Sequence, residues 1–443
     1  MATTQPLRVL ITGASIAGPA AAYFFSRAGA SVTVLERSPV LRLGGQRVDI
    51  RRTGVNVMRK VPGMEAAVRS KAPDMDGVAF VNNAGKPYGV WKATGDPDQQ
   101  SLISEFEILR GELGAILYDL TKEDPNVRYV FGNTIASVEY GHQRSEKADE
   151  SNPVRVSFSK NSLPPTDYDL VIACDGAHSA TRATFLNCSP RKHIKSTKCW
   201  AAYFTFPGDL LNGSRIEQAH SAPGGRFIAI GSENGLTRAT LMKFSPPAGP
   251  DDSSNPTVRL REAMKEGDDT LKRYVAEQFA DCGWLTPQIL AGMKVSTDLY
   301  ASEIVRVHPQ AILTHPDPTI PFALVGDAAS APGFTGTATS LALTAAYILA
   351  GEVGTRHRGD VAAGLISYEA IMRPIIDETS YNPPLATTIM APQTRLGIWI
   401  RNMIFAVLTR FASLLNPLQK RFAPGFGRND EVKDKLPNYE WIR

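Results

Sequence analysis

Cysteine is scarce in this sequence of 443 residues. The four cysteines lie far apart and form no Cys-x-x-Cys pair; they are Cys174, Cys188, Cys199 and Cys282. This spacing argues against a disulfide framework or a zinc site and is typical of a protein from a reducing compartment. The first apolar segment begins too early to leave room for a signal peptide, so we expect a cytoplasmic protein.

The sequence also lacks a strong excess of either charge. The formal net charge is only +4, and no dense basic block occurs, so we expect no nucleic-acid partner. Hydrophobic residues make up 43% of the chain and charged residues 21%, which excludes disorder over most of it. The length favours two domains over one.

A third absence is an uninterrupted apolar run of membrane-spanning length, which requires about 20 residues. The most apolar stretch, 396–418, is interrupted by Arg401 and Arg410. Its apolar residues recur at helical spacing, at Ile400, Ile404, Val407, Leu408, Phe411 and Leu415. We therefore predict an amphipathic helix. Two interpretations are open: the helix packs on its own protein, or it makes peripheral contact with a membrane.

The first motif that carries chemistry is ITGASIAG at residues 11–18. The apolar pattern around it predicts a strand, a helix and a second strand, at Arg8–Thr12, Ile16–Ala28 and Ser31–Glu36. Gly13 permits a tight turn, Ser15 lets the backbone approach a pyrophosphate, and Gly18 allows the helix to pack closely. The free N–H groups at the start of the helix favour a phosphate.

Glu36 ends the second predicted strand, where a carboxylate can hold the ribose of an adenosine. These features predict a dinucleotide site without identifying the dinucleotide. The TGAS opening is also similar to that of short-chain dehydrogenases, which need a Tyr-x-x-x-Lys pair. Two such pairs occur, Tyr88 with Lys92 and Tyr118 with Lys122. A nicotinamide-dependent dehydrogenase and a dinucleotide-sensing binding protein therefore stay open as alternatives.

Polar loops are predicted at 141–153 and 245–256.

Two later motifs each begin with a predicted strand: Tyr168–Ala173 in YDLVIACDGAHSATR at 168–182, and Phe322–Val325 in PFALVGDAASAPGFTGTATSLAL at 321–343. A helix is predicted from about Ala338 to Val353. A fourth motif, EFEILRGELGAIL at 105–117, contains a Glu-x-x-Arg helix start. In their order along the chain, at 11–18, 105–117, 168–182 and 321–343, the four motifs resemble those of the FAD-dependent single-component aromatic hydroxylases, the p-hydroxybenzoate hydroxylase-like family. Within that family the sequence looks close to the tetracycline-inactivating and fungal natural-product monooxygenases. The resemblance covers about residues 8 to 375.

The resemblance implies an α/β fold. A Rossmann-like three-layer FAD-binding domain would carry an inserted mixed β-sheet substrate domain and be followed by C-terminal helices. The FAD-binding domain would comprise residues 1–75, 101–187 and 296–372. The substrate domain would comprise 76–100 and 188–295, and the C-terminal helical segment 373–443.

The resemblance also assigns the residues that would bind FAD. They are Gly13, Ala14, Ser15, Gly18, Glu36, Arg37, Arg110, Asp175, Asp327, Pro332, Gly336, Thr337 and Ala338. Among them, Asp175 would lie near the pyrophosphate, Asp327 would bind the ribityl or pyrophosphate region, and residues 332–338 would line the isoalloxazine. The chain departs from the family pattern at Ala338, where a glycine is usual, and at Ser330, where a histidine is frequent.

Two residues of the middle segment are candidates for facing the substrate. Arg226, in GGRFIAIG, resembles the substrate-contacting arginine of the tetracycline-inactivating enzymes. Tyr203 lies in another strand-like run and is the candidate acid or base. Both placements also fit ordinary packed or paired strand residues, so their roles stay open.

For such a family the implied chemistry belongs mainly to the cofactor. NADPH or NADH would reduce the FAD, O2 would add at the flavin C4a, and the hydroperoxide would insert one oxygen atom into a largely apolar or aromatic substrate, such as a natural product. Hydroxylation, epoxidation and Baeyer–Villiger oxidation stay open, and so does a flavin-dependent reductase or dehydrogenase of the same fold. The sequence shows no metal-site spacing and no signal for an oligomeric state.

Overall fold

A computed structural model describes most of the chain. The described residues are 5–42, 44–73, 75–93, 96, 98, 104–140, 153–160, 163–245, 255–307, 313–333, 336–379, 386–411 and 436–442. The polar loops expected at 141–153 and 245–256 lie mostly outside them.

Strands and helices are interspersed along the first part of the described chain. The strands are β1 Arg8–Thr12, β2 Ser31–Glu36, β3 Arg47–Asp49, β4 Gly77–Val81, β5 Pro87–Lys92, β6 Glu107–Leu109, β7 Val127–Phe131, β8 Ile135–Glu139, β9 Val154–Phe158, β10 Thr166–Tyr168, β11 Leu170–Ala173, β12 Ile194–Pro207, β13 Ile216–Ala222, β14 Arg226–Glu233, β15 Leu236–Phe244, β16 Tyr300–Val307 and β17 Phe322–Leu324. The helices are α1 Ala17–Arg27, α2 Thr53–Arg59, α3 Met64–Lys71, α4 Arg110–Asp119, α5 Ala180–Phe185, α6 Pro256–Glu266, α7 Asp268–Phe279, α8 Thr286–Val295, α9 Ala338–Gly351, α10 Val361–Thr379, α11 Ala386–Met390 and α12 Arg395–Arg410.

A five-stranded parallel sheet forms the centre of the first layer system. Its order is β17-β11-β1-β2-β7, and each neighbouring pair runs parallel. β11 and β17 are wholly apolar and buried, as expected of strands covered on both faces. The carboxyl ends of parallel strands meet at one edge of a sheet, so the segments that follow β1, β2, β11 and β17 lie close together. This edge carries the first, second and third sequence motifs.

A seven-stranded mixed sheet forms the second layer system, in the order β16-β12-β15-β14-β13-β4-β5. Side chains alternate between the two faces of its strands. On β12, Trp200, Ala202 and Phe204 face a core shared with the helices α6, α7 and α8, where Trp200 meets Phe279 edge to face at 5.9 Å. Tyr203 points to the opposite face, because it is one residue out of step with them.

A small two-stranded sheet and a three-stranded sheet complete the strand pairing. β3 and β6 pair antiparallel, with Arg47 opposite Leu109 and Asp49 opposite Glu107. β8, β9 and β10 form an antiparallel meander. The β3–β6 pair carries Arg47 and Glu107, both of which reach the candidate site described below.

The sequence prediction of fold class is confirmed, and several element bounds agree closely. β1 and β2 match the predicted strands, and α1 differs from the predicted helix by one residue at each end. The strand expected at Tyr168–Ala173 is broken at Asp169, because that side chain turns to accept hydrogen bonds from Arg8 N at 2.8 Å and from its guanidinium at 2.7 Å. The helix expected at Ala338–Val353 ends at Gly351 and continues as one π-helical turn, Glu352–Arg356.

The division into domains follows from the two sheets. β4 and β5 join the seven-stranded sheet, as the boundaries at residues 76–100 imply. β16 joins the same sheet, so that sheet continues past the boundary predicted at residue 295. The domain boundaries themselves stay predictions.

The amphipathic helix predicted within 396–418 is present as α12. It packs on the rest of the protein through a face that contains the buried residues Arg401 and Phe405, whereas Ile400, Ile404, Val407 and Phe411 are exposed. Leu415 lies outside the described residues, and contact with a membrane stays a prediction. No helix of the described residues is long and apolar enough to cross a membrane.

Candidate active site

Two glycines, Gly13 in the turn after β1 and Gly18 in α1, have no room for a side chain. Gly13 adopts φ +97°, and a Cβ there would lie 2.6 Å from the carbonyl oxygen of Cys174. A Cβ on Gly18 would lie 1.8 Å from the carbonyl oxygen of Gly13. The tight turn and the close helix packing predicted for these residues are therefore present. Contact of either glycine with a pyrophosphate stays a prediction.

The start of α1 has the features of an anion site. Ile16 precedes the helix, and within the described part of the chain no side chain caps this end. Its first N–H groups therefore remain available, and the helix dipole adds partial positive charge. Pro19 lies in the first turn, where a missing donor costs little.

Glu36 lies at the end of β2 and is buried, with 6% of its surface exposed. Its Oε2 accepts a hydrogen bond from Ala14 N at 2.9 Å, and its Oε1 accepts one from Ser38 N at 2.9 Å. An ionised carboxylate has about four acceptor positions, so acceptor capacity remains for the hydroxyls of a ribose. Glu36 thus fixes the loop after β1 while presenting a carboxylate to the larger cavity.

The larger of two neighbouring cavities has a volume of about 390 Å³. It brings together four of the residues assigned to FAD, and its lining includes Ala14, Ser15, Glu36, Arg42, Gly45, Arg110, Asp298 and Tyr300. Arg110 begins α4, and its N–H donates to Gln46 O at 2.9 Å. The combination of a carboxylate, two arginines and a helix N-terminus fits a dinucleotide, which has ribose hydroxyls and phosphates.

The smaller cavity has a volume of about 220 Å³ and shares Gly45 and Asp298 with the larger one. Its lining includes Arg47, Glu107, Tyr203, Glu217, Ala229 and Arg238. Gly45 adopts φ +133°, and a Cβ there would lie 3.5 Å from Cβ of Arg110. The backbone at Gly45 therefore forms a thin boundary between the two cavities.

Charged side chains line the smaller cavity, although the resemblance implied a largely apolar or aromatic substrate. Arg47 forms ion pairs with Glu217 and, at 3.5 Å, with Glu233, and its guanidinium lies 3.7 Å from the carboxyl group of Glu107. Arg238 is paired with Glu233 at 2.8 Å. The positive groups are therefore held in place by carboxylates of the surrounding strands.

Glu107 lines the smaller cavity and is the glutamate of the Glu-x-x-Arg motif, for which the sequence suggested no role of its own. Burial raises the pKa of Glu107 to about 8, repulsion from Asp49 adds to the rise, and Arg47 opposes it. The raised pKa favours the protonated carboxyl group, which can donate a hydrogen bond. The motif is visible in the sequence, but the pairing of its strand with β3, which places Glu107 opposite Asp49, is not.

Tyr203 lines the smaller cavity, as expected of a residue that faces a substrate. Its ring stacks on that of Tyr300, with centroids 6.3 Å apart. Burial raises the pKa of Tyr203 far above its usual value, with smaller contributions from Cys199 and Tyr300. The phenol therefore stays protonated at neutral pH. It can donate a hydrogen bond, and its role as an acid or base stays a prediction.

Arg226 is placed elsewhere. It shares a face of β14 with Ile228 and Ile230, which pack in the core under the helical layer. Its guanidinium pairs with Asp281 and donates to Gln278 O at 3.3 Å. Within the described residues it lines neither cavity, so the structure does not bring it to Tyr203. Arg47 and Arg238 are the arginines that line the smaller cavity.

Asp175 serves the local structure of the second motif. Its Oδ2 accepts hydrogen bonds from Thr181 N and from the Thr181 hydroxyl, each at 3.0 Å, and its Oδ1 accepts one from Ser179. Its Cα lies 3.1 Å from the position that a Cβ on Gly13 would take. The backbone of Asp175 therefore packs against the loop after β1, and its contact with FAD stays a prediction.

Arg182 ends the second motif and links it to the third, a role that the sequence did not suggest. Its side chain is fully buried. It donates hydrogen bonds to Ala328 O at 2.7 Å, to Ala177 O at 2.7 Å and to Pro190 O at 3.0 Å. The second motif thus holds the third in position through one buried guanidinium group.

Asp327 follows β17 at the start of the third motif's loop. Its side chain is exposed, although many protein atoms lie around it. This enclosure raises the pKa of Asp327, and Arg110 opposes the rise. A Cβ on the adjacent Gly326 would lie 2.9 Å from Cβ of Ala17. Asp327 is therefore placed near both α1 and Arg110.

The remaining residues assigned to FAD have varied surroundings. Pro332 and Thr337 are buried, and Ala338 begins α9. Gly336 adopts φ +70°, and a Cβ there would lie 3.5 Å from Oδ2 of Asp49. Arg37 is exposed beside Glu36. Residues 334 and 335 lie outside the described residues.

The short-chain dehydrogenase alternative receives no support from its two Tyr-x-x-x-Lys pairs. Tyr88 and Lys92 lie on the strand β5, where a four-residue spacing does not form a helical pair. Tyr118 packs edge to face on Tyr129 at 4.7 Å, and Lys122 pairs with Asp119 at 2.8 Å. Among the described residues, neither pair lines either of the two cavities. In the same part of the chain, no group of three or more His, Cys, Asp or Glu side chains is arranged to hold a metal ion.

Comparisons with known proteins agree with this geometry. The FAD binding domain family matches residues 6–267. A flavin-dependent monooxygenase of a Phoma species is 31% identical, over 88% of this chain and 89% of its own length. An FAD-dependent monooxygenase of Sarocladium schorii is 28% identical, over 98% of each chain.

Solved structures show the same fold. The tetracycline destructase Tet(51) is 23% identical and covers 92% of this chain and 98% of its own, with a TM-score of 0.67. Klebsiella pneumoniae HpxO in complex with FAD and uric acid is 18% identical and covers 97% of each chain, with a TM-score of 0.64. The family match and these relatives show that the chain belongs to the FAD binding domain family and is an FAD-dependent monooxygenase.

Proposed function

We propose that this protein oxidises NADPH or NADH and inserts one atom of O2 into an organic small molecule bound in the smaller cavity. The observation that carries the proposal is the junction of the two cavities at Gly45 and Asp298. A cofactor held by the larger cavity and a substrate held beside Tyr203 would be separated only by this thin backbone segment. Redox transfer between two bound molecules requires such proximity.

The residues of the larger cavity suit FAD. Glu36 offers acceptors for ribose hydroxyls, and the start of α1 with Arg110 offers donors for the pyrophosphate. Bound FAD would supply the hydride and oxygen chemistry that amino-acid side chains lack. The chain's own residues bind the cofactor, orient the substrate and exclude water.

The smaller cavity favours a substrate that carries an oxygen acceptor. The Tyr203 phenol is a hydrogen-bond donor, and the raised pKa of Glu107 favours its protonated carboxyl group, which is also a donor. Leu109, Phe204 and Ile230 add apolar surface to the same lining. We propose an aromatic or alicyclic molecule with a carbonyl or phenolic oxygen, which would be positioned by these donors. Hydroxylation, epoxidation and Baeyer–Villiger oxidation are each compatible with such a substrate.

The relatives named as monooxygenases favour oxygen insertion over the alternative of a flavin-dependent reductase or dehydrogenase. The two functions differ in the fate of O2. The test is turnover of a panel of phenols and cyclic ketones with NADPH or NADH under isotopically labelled oxygen gas. We expect one labelled oxygen atom in the product, and an unlabelled oxidised or reduced product would contradict the proposal.

Two variants connect the test to the smaller cavity. Tyr203→Phe should slow product formation, because it removes a donor that lines the cavity. Tyr118→Phe is the matched control, because Tyr118 packs in an aromatic cluster with Tyr129 and Phe131. Equal loss of turnover in both variants would contradict the assignment of the smaller cavity to the substrate.

A further inference from the structure

The helix α12 contacts the rest of the protein through a face that contains its buried polar residues. Arg401 donates to the Ser221 hydroxyl at 2.9 Å and to Met390 O at 3.1 Å, and its guanidinium lies 4.3 Å from the ring centre of Phe80. Phe405 packs edge to face on the same ring at 4.7 Å. These contacts hold α12 against β4 and β13, so its orientation is determined by specific partners.

The opposite side of α12 is apolar and faces solvent. We call it the outer face; its residues and exposed fractions are Leu396 65%, Trp399 56%, Ile400 45%, Ile404 55%, Val407 54% and Phe411 48%. Their spacing of three, four, seven and eight residues places them along one side of the helix. A surface helix of a soluble protein normally has the reverse arrangement, with its apolar side inward. A continuous apolar surface of this kind indicates a binding partner.

The charge of the segment that contains α12 indicates the nature of that partner. In the sequence, residues 379–429 contain no Asp or Glu and six basic residues: Arg395, Arg401, Arg410, Lys420, Arg421 and Arg428. Of these, Arg395 and Arg410 lie exposed at the two ends of α12, whereas Arg401 is buried against the protein. A second copy of the same face would bring like charges together. An anionic lipid surface would instead attract them.

We propose that the outer face of α12 docks the protein on the surface of an anionic membrane. Trp399 and the aliphatic side chains would enter the boundary between headgroups and acyl chains, and Arg395 and Arg410 would contact lipid phosphates. The helix lies in the membrane plane and does not cross it. Docking in this way places the edge of the seven-stranded sheet that carries β4 and β5 beside the lipid.

The test is flotation of the full-length protein with lipid vesicles. The vesicles contain phosphatidylcholine alone or phosphatidylcholine with phosphatidylserine. We expect flotation with the anionic vesicles, weaker flotation with the neutral ones, and a decrease at high salt because salt screens the charges. The double variant Trp399→Ser with Ile404→Ser should lower the vesicle-bound fraction by about tenfold or more, since two large apolar side chains no longer enter the lipid.

Ile366→Ser provides the matched control, because Ile366 is 63% exposed on α10, outside the outer face. It should float like the unmodified protein. Thermal unfolding of each variant checks that the exposed substitutions leave the fold intact. The proposal is overturned if the unmodified protein fails to float with anionic vesicles or if the double variant floats equally well. It is also overturned if light scattering shows a dimer that the double variant converts to a monomer.

Discussion

The guanidinium group of Arg182 donates a hydrogen bond of 2.7 Å to the backbone carbonyl of Ala328, joining residues that are 146 positions apart in the chain. Ala328 lies in the third motif, after β17, and Arg182 lies in the second motif, after β11. The same guanidinium also holds Ala177 O and Pro190 O. One buried side chain thus fixes the relative position of two segments at the cofactor edge of the parallel sheet.

Replacing Arg182 should therefore destabilise the fold. Arg182→Met would leave the buried carbonyl group of Ala328 and the carbonyl groups of Ala177 and Pro190 without this donor, and we expect a loss of about 2–5 kcal/mol in the free energy of unfolding. Urea unfolding measures the loss. Arg128→Met is the control, since Arg128 is exposed on β7, and it should change the free energy of unfolding by less than about 0.5 kcal/mol. Equal effects of the two substitutions would contradict the structural role of Arg182.

A second prediction concerns Glu36 and the affinity for FAD. Glu36→Gln removes the negative charge and replaces one acceptor oxygen with a donor amide, which cannot accept the hydrogen bond from both Ala14 N and Ser38 N. We expect the Kd for FAD to rise by about tenfold or more, which corresponds to about 1.4 kcal/mol. Titration of the apoprotein with FAD measures it. Glu139→Gln, at an exposed position on β8, should leave the Kd unchanged.

A third prediction concerns Glu107 and the pH dependence of stability. The pKa of Glu107 is about 8 in the folded protein and 4.5 as its ordinary value. Between these two values the folded state binds more protons than the unfolded state, so this group makes the protein less stable as the pH rises. Its contribution to the decline is at most about 1.4 kcal/mol per pH unit.

Glu107→Gln should remove that contribution, because glutamine does not titrate. Urea unfolding at about pH 5 and about pH 8 should show that the variant gains stability relative to the unmodified protein as the pH rises. Glu277→Gln, on the exposed side of α7, is the control and should keep the original pH dependence. A Glu107→Gln variant with the original pH dependence would show that this carboxyl titrates normally.

A fourth prediction separates Tyr203 from Arg226. Tyr203→Phe should lower kcat/KM for the organic substrate by about tenfold, the cost of one hydrogen bond to a bound oxygen. Arg226→Gln should leave kcat/KM within about twofold, because its guanidinium faces Asp281 and the helical layer. Steady-state kinetics of product formation decide between them. A larger loss with Arg226→Gln than with Tyr203→Phe would show that the substrate binds on the side of the seven-stranded sheet that carries Arg226, and it would contradict the assignment of the smaller cavity to the substrate.

The secondary structure that surrounds the larger cavity could largely be predicted from the sequence. The strand, loop and helix around Gly13 and Gly18 depend on short-range periodicity and turn chemistry, which a sequence displays directly. Glu36 follows from the same local pattern. For this reason β1, α1 and β2 were placed within one residue of their bounds.

The substrate half depends on contacts between distant segments. Strand periodicity predicts that Arg226 shares a face with Ile228 and Ile230, but not which layer covers that face. The raised pKa of Glu107 arises from burial and from Asp49 on a neighbouring strand, so no local pattern reports it. The direction of α12 likewise depends on the partners of Arg401 and Phe405.

We propose that the larger cavity holds FAD for an NADPH- or NADH-driven oxidation. The most direct test is the visible spectrum of the purified protein, recorded before and after NADPH or NADH is added and again after air is admitted. We predict bands near ~370 and ~450 nm that bleach with the reductant and return with air, as expected of a flavoprotein that reacts with oxygen. A colourless protein that cannot be reconstituted with FAD would contradict the account.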